Sequence, residues 1–114
     1  MIPGKYNMIC PQGSTFNQVL TYSINDVLVN LTGYTARMQV KEKYSSTVKQ
    51  LDLTTSNGGI TLGGALGTIT INATATQTAL IVPKEYLYDL ELVYASTVNR
   101  IIEGKFIVTA EVTI

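Results

Sequence analysis

The sequence predicts an all-β chain, an antiparallel sandwich of seven to nine short strands, and three observations predict it. Apolar and polar residues alternate at period 2 through most of the chain. Turn-forming clusters interrupt that alternation about every eight to twelve residues. No sustained heptad runs through it, and no apolar run approaches the roughly 18 residues that cross a bilayer. Residues 1–114 read as a single domain, with neither linker nor internal repeat.

After Pro3-Gly4, the residues Tyr6, Met8 and Cys10 share one face of a short edge strand, which Pro11-Gln12-Gly13 breaks. From Thr15 to Ile24 the apolar Phe16, Leu20, Tyr22 and Ile24 recur in phase, rich in β-formers. Asn25-Asp26 reads as a turn before the brief apolar run Val27-Leu28-Val29, and Asn30-Leu31-Thr32-Gly33 as another. Tyr34 to Lys43 alternates cleanly, with Tyr34, Ala36, Met38 and Val40 inward. Val48, Leu51 and Leu53 mark a less regular strand, and Asn57-Gly58 suits a type I′ hairpin into Ile60 and Leu62. Ile69 and Ile71 point inward from the next strand, Thr68 to Asn72. Ala73 to Leu80 reads as a single helical turn that tucks Leu80 under the sheets.

The stretch Tyr86 to Thr109 organises the rest: two long strands joined at Ala95-Ser96-Thr97. Tyr88, Leu90, Leu92 and Tyr94 form one apolar row; Val98, Ile102, Phe106 and Val108 form the other, with a bulge or close backbone approach expected at Gly104. Ala110 to Ile114 continues the alternation. This spacing has an immunoglobulin-like look, without the Cys–Trp–Cys mark of true immunoglobulin domains; a small barrel is the other way to close the sheet.

Composition excludes several functions. Lys plus Arg equals Asp plus Glu at eight each, so no net field draws nucleic acid or an anionic membrane. Histidine is absent, which removes the commonest general base and metal ligand. The single cysteine, Cys10, reads as a small buried hydrophobe and forms no intrachain disulfide or thiolate cluster. Asp89 and Glu91, two apart on one strand, are spaced like a glycosidase pair, but cross-strand pairing with Arg37, Lys41, Arg100 or Lys105 explains them without catalysis. The glycines at 58–59 and 63–67 lack the Lys-Ser/Thr ending of a phosphate loop. The sequons at Asn30 and Asn72 lack a secretory context, since the N-terminus carries no signal-peptide pattern. Tyr44 and Tyr94, near turns, are the candidates for a glycan-stacking platform. No catalytic residue, cofactor or metal is expected. Charged residues are only 14% of the chain against about 25% in an average domain, and hydrophobic residues 46%, so the surface is expected to carry patches that a partner covers.

The segments LTGYTARMQV (31–40), GGITLGG (58–64) and YDLEL (88–92), with the closing Gly104, Val108 and Glu111-Val112-Thr113, resemble small proteins from the structural gene blocks of tailed bacteriophages and prophages. More distantly the chain is similar to the immunoglobulin-like N-terminal domain of upper baseplate proteins of such phages. The resemblance spans residues 14–114 and implies a non-enzymatic virion component of the tail, neck or baseplate, synthesised in the host cytoplasm and assembled in many symmetric copies with other virion proteins. It carries over no functional residues. The segment after Asn72 departs from the pattern. A capsid decoration protein and a receptor- or glycan-binding module are the alternatives. Strand addition at the termini and contact at the glycine-rich turn would join neighbours, with Ile2, Tyr6, Met8, Asn57, Leu62, Leu66, Val112 and Ile114 as the expected assembly contacts.

Overall fold

The computed structural model describes residues 4–112, so the expected contacts Ile2 and Ile114 lie outside the described residues. The chain folds as an immunoglobulin-like β-sandwich. One sheet orders β1 (Gly4–Lys5), β11 (Thr97–Thr109), β10 (Glu85–Tyr94), β6 (Thr35–Lys41) and β7 (Leu51–Thr54), with β2 (Met8–Pro11) also on β11. The other orders β3 (Phe16–Thr21), β9 (Thr68–Ala73) and β8 (Ile60–Leu62). A separate hairpin joins β4 (Ser23–Ile24) to β5 (Val27–Leu28). The five-residue helix α1 (Ala75–Ala79) carries the chain from β9 back to β10. Two pairings are parallel, β1 and β2 on β11, where sequence predicted an antiparallel sandwich throughout.

The alternation builds the core as expected along β6 and β10. Ala36, Met38 and Val40 meet Leu92, Leu90 and Tyr88 across the ladder, and all six are buried. Ile69 and Ile71 face them from β9, and the rings of Phe16 and Phe106 meet edge-on between the sheets at 5.3 Å. Each such large apolar side chain taken from water contributes on the order of 1.5–3 kcal/mol. Immunoglobulin domains mark strand F with a tyrosine near its start whose hydroxyl bonds back to the chain upstream. Tyr86 does this here, donating to the Val82 carbonyl at 2.6 Å. Two residues on, where antibody domains place their second cysteine, stands Tyr88, whose hydroxyl donates to the Tyr6 carbonyl at 2.5 Å.

The predicted alternation fails where backbone pairing changes. The strand expected from Thr15 to Ile24 ends after Thr21, because Tyr22 donates to the Gly67 carbonyl and accepts from the Val29 amide. Beyond it Asn25 and Asp26 take positive φ (50° and 65°), a type I′ geometry that turns Ile24 outward with Val27. In the long hairpin the loop is Ala95-Ser96, and Tyr94 and Val98 beside it are exposed rather than inward. The bulge falls at Ile101, not Gly104: Leu90 pairs with Ile102 and Glu91 with Arg100, and the unpaired Ile101 is buried. Gly104 serves the other expected purpose. The Tyr6 backbone lies where any Cβ would stand, so β1 reaches β11 only over a glycine.

Three further expectations are corrected. Asn57 makes no type I′ hairpin: only Gly58 takes positive φ, and the segment crosses from β7 in one sheet to β8 in the other. The helical turn exists, but it buries Thr78 and Ile81 and leaves Leu80 exposed. Thr74 and Gln77 close a reciprocal capping box at its start. Finally, strand pairing stops at Thr109, and Val112 is almost fully exposed instead of extending the sheet.

Candidate interaction surfaces

The outer face of the larger sheet holds the carboxylates that most resemble a catalytic pair, and its geometry assigns them to charge pairing. Arg37 Nε donates to Glu91 at 2.7 Å across β6 and β10. Arg100 reaches both Asp89, at 3.2 Å, and Glu103, at 3.5 Å, while Lys5 also pairs with Glu103. Asp89 and Glu103 stand directly opposite each other in the ladder, so Arg100 bridges two like charges that would otherwise repel. Burial pushes the Asp89 carboxyl above its ordinary range, only partly offset by Arg100. Glu103 is held below its range, first by the bond from Lys5. Among the described residues, no cluster of His, Cys, Asp or Glu is placed to hold a metal, and every buried side-chain nitrogen and oxygen is hydrogen-bonded. Among the described residues no helix is long and apolar enough to cross a membrane.

The expected assembly contacts separate on the structure. Met8 is buried in the core and cannot be one, because β2 pairs in phase with β11 and sends Met8 inward opposite Phe106. Leu62 is half-buried against the core. The Asn57 side chain is spent within its own turn: its carbonyl accepts from the Thr54 and Gly59 amides and its amide donates to the Asp52 carbonyl. Tyr6, Leu66 and Val112 are exposed, Leu66 at 65% and Val112 at 97%. Cys10 is buried, and burial raises its thiol to about 11. Tyr44 stands exposed at the rim of a shallow cavity of about 70 Å³ lined by Gln39, Lys41, Lys43 and Asp89, whereas the Tyr94 ring packs on Tyr34 at 4.9 Å.

Sequence reasoning missed the two surfaces on which exposed apolar side chains gather, because it placed Ile24 and Leu80 in the core. At one end of the sandwich the β4–β5 hairpin, the 63–67 turn and the β10–β11 loop lie together. Leu31 donates to Gly64, Tyr22 to Gly67, and Gly33 abuts the Tyr94 ring. This hairpin end exposes Ile24, Val27, Leu28 and Leu66. The opposite, helix end is assembled by Gln12, which donates to the Ile81 carbonyl, by the Thr78 hydroxyl on Ser14, and by the Lys84–Glu42 ion pair. It exposes Val48, Leu80 and Val82, the last two flanking buried Ile81.

No family model matches the chain, and no curated protein does. Among solved structures it is similar to the extracellular domain of the voltage-gated sodium channel beta4 subunit, described as a parallel homodimer with a role in cell–cell adhesion. The identity is 12%, the TM-score 0.45, and the match covers 98% of this chain and 97% of that one. A second structure, from photo-crosslinking work on multimeric cell-adhesive interactions of sodium-channel beta subunits, is 12% identical with a TM-score of 0.40, covering 96% and 93%. These findings correct the resemblance to tailed-phage structural proteins: no family model or curated protein supports that family, and the two solved structures described above come from channel beta subunits rather than phage proteins.

Proposed function

We propose that this chain is a non-enzymatic structural or adaptor subunit that works by adding itself, in multiple copies, to a larger protein assembly. The observation that carries this reading is a division of labour on the surface. The charged sheet face is internally paired, while large apolar side chains stand exposed at both ends of the sandwich. Groups that could do chemistry are thus tied to one another, and the groups left over suit burial against protein. For the setting we propose a virus particle, with the chain in tail, neck or baseplate after synthesis in a host cytoplasm. Quantitative mass spectrometry of gradient-purified particles tests it. On the order of six to a few dozen copies is expected for a ring or fibre attachment, and hundreds would make it a capsid decoration protein. Absence from particles overturns the virion setting, and failure to sediment with any large complex overturns the structural reading.

Exposed Tyr44 beside its polar cavity favours a receptor- or glycan-binding module as the second reading. Glycan-array binding that disappears with Tyr44→Ala would establish it; no binding would remove it.

A further inference from the structure

The two ends of the sandwich differ in charge as well as in position. Asp26, at the tip of the β4–β5 hairpin, is the single charged residue within segments 22–34, 62–68 and 94–98 that form the hairpin end. It has no ion-pair partner among the described residues and stands between exposed Ile24 and Val27. At the helix end Lys84 is neutralised by Glu42, Lys49 by Asp52 and Glu85 by Lys105. That leaves Lys41 and exposed Lys43 as cations without an ion-pair partner among the described residues. Glu111 is the one carboxylate left over there, and its side chain lies over Gly13. An apolar end with an unpaired anion thus opposes an apolar end where Lys41 and Lys43 stand outside any ion pair and feel only the longer-range fields of Asp89 and Glu42.

We infer that the chain binds a second copy of itself head to tail, the hairpin end of one molecule seated on the helix end of the next with Asp26 facing Lys43. The inference deepens the assembly reading by naming the partner. Such a contact is heterologous: each molecule keeps one end of each kind free, so addition continues into a ring or a filament instead of stopping at a pair. The molecule measures 42 × 27 × 25 Å. Its end-on cross-section is about 500 Å², so one junction covers about 1,000 Å² over both partners, the lower limit for a specific interface. Each junction is therefore weak and gains from repetition and from any scaffold that raises local concentration.

The test uses one variant blocked at each end, Val27→Lys and Leu80→Lys, with Leu66→Lys and Val82→Lys as a second pair should either first variant misfold. Sedimentation equilibrium of the wild type should show an average mass that climbs past a dimer as concentration rises. Each variant alone should self-associate at least tenfold more weakly. Mixed together, the two variants should form a 1:1 dimer that grows no further, since one free hairpin end meets one free helix end. Asp26→Lys should weaken the wild-type association severalfold, and Lys43→Asp in the same chain should restore it. A wild type that stays monomeric, a mass that stops at dimer, or a mixture that remains monomeric overturns the inference. None of these results touches the particle copy number, which tests the assembly reading separately.

Discussion

Tyr86 and Tyr88 divide between them the task of locking β10 into the fold. Each buries its ring and spends its hydroxyl on a backbone carbonyl, Val82 for one and Tyr6 for the other. A net hydrogen bond of this kind contributes on the order of 1 kcal/mol. Tyr86→Phe should therefore lower stability by about 1 kcal/mol in urea titration with an unchanged m-value. The alternation made Tyr88 legible as a core residue, but a partner 82 positions away cannot be read from periodicity. Cys10 is simpler. With its thiol raised to about 11 by burial, it should resist a disulfide reagent at pH 8 in the folded protein and react promptly once unfolded. The two carboxyls bridged by Arg100 move in opposite directions, Asp89 up through burial and Glu103 down through Lys5. Asp89 therefore contributes stability that is fully present below its unfolded pKa and lost as pH rises through its folded one. For Glu103 the contribution is present above the unfolded pKa and lost as pH falls through the folded one. Urea midpoints measured between about pH 2.5 and 6 should thus fall less on alkalinisation in Asp89→Asn, and less on acidification in Glu103→Gln, than in the wild type.

Among the elements, regular strands were legible and their interruptions were not. Residues on β6 and β10 alternate without a break because the ladder between these two strands keeps one register from Leu87–Lys41 to Val93–Thr35, and the extra residue of the β10–β11 ladder lies on β11. The alternation begun on β3 keeps its phase through Tyr22, which packs on the core, and fails at Ile24, because Tyr22 bonds to Gly67 and Val29 and the turn at Asn25-Asp26 follows at once. Ile101 shows the same dependence. An extra residue in one strand is invisible in sequence unless a glycine marks it, and the glycine present, Gly104, marks the approach of β1 instead. The helical turn at 73–80 was legible but its phase was not, although Thr74-Ala75-Thr76-Gln77 spells a capping box. That motif, by fixing the helix start, also sets which residue turns inward after it. Thr74→Ala removes the side-chain acceptor for the Gln77 amide and should cost about 1 kcal/mol in thermal or urea unfolding. The mutation leaves exposed Leu80 in place, so its effect reports the cap and not the surface patch.

For the molecule as a whole, the N-terminal segment belongs to the core while the described end of the C-terminal segment does not. Met8 and Cys10 are buried on β2 beside Phe106 and Val108, whereas Val112 is almost fully exposed beyond the last strand residue. Deleting residues 1–11 should therefore abolish cooperative folding, whereas ending the chain after Thr109 should leave the melting midpoint within a few degrees, both read by circular dichroism. The sequence treated the two termini as equivalent docking strands because both alternate, and alternation does not say whether a strand finds a neighbour. The candidate surfaces were the least legible part. They consist of apolar side chains facing away from the core, and composition signalled only that such side chains had to exist somewhere. Tyr88 stands where an antibody domain would place half of a cystine, and its tie to Tyr6 is made by a proton donor rather than by a pair of sulfurs. The join closes as fast as the chain folds, waits for no oxidant or isomerase, and holds equally in reducing and oxidising surroundings, so the framework is complete as soon as the chain has folded.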